Sequence, residues 1–170
     1  MTLRKSILMF FMVIAAAALF SDGIDGVIGD SEYTNVHDSG QMKLYSRLDN
    51  SVLSVAVEAP TNGWVAAGFG SLRMDGAYIV MGYVKKDGPH ISQVEGSGHR
   101  LKEPAAVLVS QWAAVEEGDT TVLEFSVPVE SLKTKTSGNG IAIDMIMSYS
   151  NTDVTWMKHS YRTSFTLELK

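Results

Sequence analysis

Short runs of alternating apolar and polar residues, cut by turn signals about every ten residues, confine this chain to β-structure. Leu53, Val55 and Val57 alternate with Ser54, Ala56 and Glu58, the pattern of a strand with one wet face. From Thr120, Leu123, Phe125 and Val127 lie opposite Val122, Glu124 and Ser126. Ile141, Ile143, Met145, Met147 and Tyr149 share one side of the next run, and Phe165, Leu167 and Leu169 one side of the last. Two more apolar stretches, Trp64–Phe69 and Ala77–Val84, flank a glycine-rich connection. Turn signals separate these runs at Asp49-Asn50, Thr61-Asn62-Gly63, Asp87-Gly88-Pro89, Glu117-Gly118-Asp119 and Ser137-Gly138-Asn139-Gly140. About nine short strands without crossover helices predict an all-β, antiparallel β-sandwich, although a closed barrel shares the pattern. Pro128 removes a ladder donor, so its strand lies at an edge or ends there.

The first residues follow a different rule. Arg4 and Lys5 precede an apolar run from Ile7 to Phe20, and small and polar residues follow. A helix of that run is about 21 Å long, short of a hydrocarbon core of about 30 Å. Residues 1–21 therefore read as a secretory signal peptide, with an uncleaved anchor as the alternative, and residues 22–170 as one domain in the periplasm or outside the cell. Ala16-Ala17-Ala18 suits a cleavage site, whereas Phe20 does not. The chain has no cysteine, which excludes disulfides, thiolate metal sites, blue copper and covalent haem attachment. The roughly 150 residues after the leader are enough to hold a core without disulfides. Fourteen Lys+Arg against 19 Asp+Glu give a net charge of −5, and no basic stripe is present, so nucleic acid is not an expected partner.

Met74 stands out because it sits in a polar turn between Arg73 and Asp75. One reading makes it a gap-filler folded back on the core. The other makes its thioether a soft metal ligand, with Gly68, Gly70 and Gly76 leaving room for something flat to approach the backbone. Met42, Met81, Met145, Met147 and Met157 read as strand residues, which does not suit a methionine-rich copper site. Haem iron needs one thioether and one nitrogen ligand. Among the four histidines, His37 and His90 read as turn residues and His99 lies in a polar loop. His159 sits between a turn and the last strand, near Trp156, Tyr161 and Phe165. If Met157–Tyr161 is extended, Met157, His159 and Tyr161 point to one side and Lys158 and Ser160 to the other. A hydrogen-bonded boundary histidine fits the same position, and spacing alone does not pair His159 with Met74.

The segments "DGVIGDSEY", "LSVAVEAPTNGWVAAGFG", "RMDGAYIVMGYV", "EFSVPVESL" and "WMKHSYRTSFTLEL" stand in the order expected of a DOMON domain. Over residues 25–170 the chain resembles the single-domain haem-binding branch of that family and, more distantly, the cytochrome domain of cellobiose dehydrogenase. The resemblance implies an immunoglobulin-like sandwich holding one haem b non-covalently. It further implies that Met74 and His159 ligate the iron. A related branch uses lysine as the second ligand, which brings in the adjacent Lys158, but the His-Ser match favours His159. Other DOMON members bind sugars or serve in adhesion, so the fold alone does not imply haem.

The expected function is one-electron transfer to or from an unidentified redox partner protein, with no catalysis by the domain itself. Trp64, Phe69, Tyr78, Met81, Met145, Met147 and Trp156 are the expected cofactor wall, each explicable also as plain core. Arg73, Arg100 and Arg162 are candidates to meet the propionates. The alternative is a carbohydrate- or ligand-binding module without haem, with Trp64, Trp112 and Trp156 as stacking platforms. No G-x-S-x-G or H-E-x-x-H motif points to a hydrolase, and Glu116-Glu117 reads as solvated turn charge.

Overall fold

The computed structural model describes residues 23–170, so the expected leader lies outside the described residues. Among the described residues, twelve strands form two separate antiparallel sheets, a sandwich and not a closed barrel. The first sheet has the order β1 (Asn35–Asp38), β2 (Lys43–Asp49), β3 (Val52–Ala59), β9 (Thr120–Pro128) and β8 (Gln111–Glu117). In the second, β11 (Gly140–Tyr149) pairs along one edge with β12 (Tyr161–Leu169). On its other side β11 meets β10 (Lys135–Ser137) and then β4 (Val65–Phe69). The sheet continues through β5 (Tyr78–Lys85), β6 (Gly88–Ser97) and β7 (Arg100–Lys102). Among the described residues, no helix is long and apolar enough to cross a membrane.

The strand count exceeds the nine expected because several strands are short or polar. β1 reads NVHD and β10 reads KTS, and neither carries an apolar alternation. Gly88-Pro89, read as a turn, opens β6, so His90 lies on that strand and stacks on Tyr83. His37 likewise belongs to β1, where its ring lies 3.6 Å from that of Phe165 at 6°. Pro128 is the last residue of β9, which lies between β3 and β8; its missing N–H ends the strand without breaking an interior ladder.

The period-two pattern places Leu53, Val55 and Val57 of β3 and Leu123, Phe125 and Val127 of β9 on the inner face of the first sheet. Val65, Ala67 and Phe69 of β4 and Ile143, Met145 and Met147 of β11 meet them from the second. Phe69 packs edge-on against Phe125, with centroids 5.9 Å apart at 89°. The outer face of the first sheet is crossed by residues 25–33. Glu124, completely buried, accepts hydrogen bonds from the backbone N–H of Asp25 (2.9 Å) and Gly26 (2.6 Å) and from the Tyr33 hydroxyl. Burial and this carboxylate together push the Tyr33 hydroxyl well above its ordinary range.

Because Phe69 is fully buried between the sheets, Phe69→Ala should destabilise the haem-free protein by about 3–5 kcal/mol. Denaturant unfolding measures this, and a loss seen only with haem bound would return Phe69 to the cofactor wall.

Candidate functional site

Strands β4 and β5 are apolar on both faces. All five residues of β4 are buried, although only Val65, Ala67 and Phe69 face the other sheet. The alternate residues form a second apolar cluster on the outer side: Trp64, Ala66, Ala77, Ile79 and Met81, with Met74, Tyr83, Val94 and Ile146 packed around them. Register orders this strip into rows. Ile146, Gly68, Ile79 and Val94 stand side by side across four strands, and Ser148, Ala66, Met81 and Ser92 form the next row. From Ala77 to Tyr83 the strip runs about 20 Å.

The turn carrying Met74 caps one end. Its carbonyl accepts the Ala77 N–H (3.1 Å), the Gly76 N–H reaches the Gly96 carbonyl (2.9 Å), and Asp75 Oδ1 accepts the Gly98 N–H (2.7 Å). The turn presses so closely on β6 that a Cβ at Gly96 would stand 1.7 Å from the Met74 carbonyl oxygen. Only glycine fits there. Gly96 positions Met74, and a glycine after the alternating residues of β6 was the sequence signal for it. Gly68, Gly70 and Gly76, expected to leave room for a flat group, act otherwise. Gly70 and Gly76 adopt the positive φ of tight turns, while the space outside Gly68 is taken by Ile146 and Ile79.

The β11–β12 loop, residues 150–160, caps the other end and is fastened by Trp64. The Trp64 backbone exchanges bonds with Thr152 (3.2 Å) and Ser150 (2.9 Å), and its indole N–H donates to the Val154 carbonyl (3.2 Å). The loop then turns, with Met157 N–H bonded to the Val154 carbonyl (2.9 Å), so Met157–Tyr161 is not the extended segment expected and Met157 is not a strand residue. His159 follows the turn and is half-buried, whereas Lys158 is exposed. Burial first, then the charges of Arg162 and Lys158, lower the His159 pKa, with a backbone hydrogen bond opposing them. The shift favours the neutral, lone-pair-bearing form of the ring.

The expected wall residues divide between two faces. Trp64 and Met81 share the outer strip with Met74. Phe69, Met145 and Met147 lie in the core between the sheets, and Tyr78 packs against that core, with its hydroxyl bonded to Gln93. These four are separated from Met74 by the thickness of the sheet, because an odd number of positions along a strand reverses the face. Trp156 is 82% exposed in the loop, beside Met157. Of the three tryptophans considered as sugar platforms, Trp64 is buried and Trp112 packs against the core, leaving Trp156 as the free one. Among the described residues, no group of three or more His, Asp or Glu side chains could hold a metal ion. Two surface pockets, one bounded by Thr34, Leu48 and Leu169 and the other by Gly40, Met42 and Pro60, lie away from the strip.

The loop of His159 also meets the first sheet through two acids. Glu116 Oε1, near the end of β8, and Asp153 Oδ1 are both buried without a hydrogen-bond partner. Burial, then the charge of Asp153, raises the Glu116 pKa. Glu116 is thus not the solvated turn charge expected from sequence.

No family profile matches the chain, and no curated protein matches it in sequence. Solved structures do match in fold. The cytochrome b domain of pyranose dehydrogenase from Coprinopsis cinerea aligns over 75% of this chain and 76% of its own, at TM-score 0.57 and 12% identity. The cytochrome domain of Myriococcum thermophilum cellobiose dehydrogenase aligns over 78% and 79%, at TM-score 0.58 and 14% identity. The sandwich is therefore the fold of these cytochrome domains.

A carboxyl whose pKa is raised by folding costs stability once the pH exceeds its unfolded value, here 4.5. Glu116→Gln should therefore raise the melting temperature at pH 7, and the gain should vanish as the pH falls below about 4.5. Thermal unfolding across that range checks it; an equal effect at every pH would contradict the buried-acid account.

Proposed function

We propose that the chain is an exported b-type cytochrome of DOMON type, exchanging single electrons with a redox partner through one non-covalent haem held by Met74 and His159. The observation that carries this reading is the placement of the two donors. A half-buried thioether packs on the apolar strip from the loop at one end, and a half-buried imidazole with a lowered pKa stands in the loop that Trp64 fastens at the other, so joint ligation requires the two loops to close over the strip. The fold shared with two cytochrome domains supports it. So do the exposed apolar side chains of the same two loops, Leu72 in one and Trp156 and Met157 in the other, which a flat apolar group between the loops would cover.

The donor set fits haem: Met74 would supply a thioether and His159 an imidazole nitrogen, a pair that haem iron accepts. Haem ligated in this way supplies reversible one-electron exchange at a potential raised by the thioether. Every other part of the task falls to the chain. Gly96 holds Met74 against β6, and Trp64 anchors the loop of His159. Ala66, Ile79 and Met81 exclude water from beneath. Trp64 and Met81 are buried by the chain, so loading requires the two loops to rearrange over the strip. Lys158, exposed beside His159, is the cation we assign to a propionate. Haem held by both side chains would have no coordination site open to oxygen or peroxide, which favours electron transfer over catalysis. The leader-like residues before the domain support export.

Purification with haem supplied should give a red protein whose reduced spectrum has a sharp α band. Met74→Ala and His159→Ala should each give a high-spin or haem-free product, with affinity lowered by about a hundredfold or more, since even outer contacts to a metal ligand are worth 10–100-fold. Unchanged low-spin spectra in both variants would end the ligand assignment, and a parent protein that takes up no haem would end the cytochrome reading.

A further inference from the structure

The last strand is an unusually good template for a second copy of itself. β12 is nine residues long, contains neither proline nor glycine, and pairs with β11 along one edge. Among the described residues no strand pairs with its other edge. Soluble proteins commonly blunt such an edge with prolines, bulges, short strands or like charges. Here the exposed row on the outer face reads Arg162, Ser164, Thr166, Glu168. Neither Arg162 nor Glu168 has an ion-pair partner among the described residues. Glu168 accepts only a 3.3 Å hydrogen bond from Ser137 Oγ, and Thr166 donates to Asp144.

That row is self-complementary. Two antiparallel copies related by a two-fold axis through Phe165 oppose Arg162 to Glu168, Ser164 to Thr166, Thr166 to Ser164 and Glu168 to Arg162. A slip that moves the axis to Thr166 opposes Arg162 to Lys170, a repulsive pair, and one that moves it to Ser164 leaves both charges facing neutral residues. The axis stands normal to the sheet, so polar outer rows meet each other and the inner residues Thr163, Phe165 and Leu167 do the same.

We propose that the chain forms a two-fold symmetric dimer through edge-to-edge pairing of β12 with β12 of a second copy, in the register that opposes Arg162 to Glu168. The partner is another copy of this chain because the charge row complements itself in one register. Each contact occurs twice, so one substitution acts at two places. The dimer depends on β12 alone and not on haem; its failure would leave the cytochrome reading untouched.

Sedimentation of the purified protein over a range of concentrations tests this. The parent should associate reversibly to a dimer. R162E and E168R should each weaken association by about tenfold or more, as two attractive cross-strand pairs become repulsive. Mixing the two variants should restore association, now as a heterodimer in which every charge again meets its opposite. Equal thermal stability of parent and variants confirms that the exposed substitutions leave the fold intact. A parent that stays monomeric throughout would overturn the proposal. So would a dimer indifferent to both substitutions, or variants that remain apart when mixed.

Discussion

The constraint on which the rest of the molecule depends is that β4 and β5 are apolar on both faces. A two-layer sandwich buries one face of each sheet, and an outer face left apolar must be covered by something else. In this chain the cover comes from two loops, one from each end of the strip, and those loops carry the two soft or nitrogenous donors. Fold and candidate site therefore have one cause. The excess hydrophobicity of two central strands draws Met74 and the His159 loop onto the same surface.

Backbone contacts make the arrangement specific. A glycine at 96 allows the Met74 turn to lie directly on β6, where any side chain would force it away. At the opposite end the Trp64 indole is both part of the strip and a hydrogen-bond donor to the loop above it, so its burial is compatible with its polar N–H. The acids Glu116 and Asp153 run against this economy: each hides a carboxylate oxygen without a donor, and burial raises the Glu116 pKa.

The sandwich was legible from alternation and turns, and the positions of Met74 and His159 between strands were legible from their neighbours. The division of the wall residues was also within reach of the sequence. Trp64 and Phe69 are an odd number of positions apart on one strand, as are Tyr78 and Met81, so neither pair could line one surface. What the sequence hid was long-range and local at once. Nothing near Glu124 announces that it anchors the backbone of residues 25 and 26, because that contact joins segments about a hundred positions apart. β1 and β10 carry no strand signal in the sequence because their residues are mostly polar and their existence depends on neighbouring strands. The turn at Met157 defeated a simple extension of the last strand, since Trp64, far away in sequence, fixes the loop's path.

The central proposal is that Met74 and His159 together hold one haem. Selective isotope labelling of methionine methyl groups, followed by NMR of the reduced haem-loaded protein, tests it most directly. The account predicts one methyl resonance displaced far upfield by the ring current, assigned to Met74 by its disappearance in Met74→Leu. Methionine methyls that all stay in their ordinary range, or a displaced signal that survives in Met74→Leu, would contradict it.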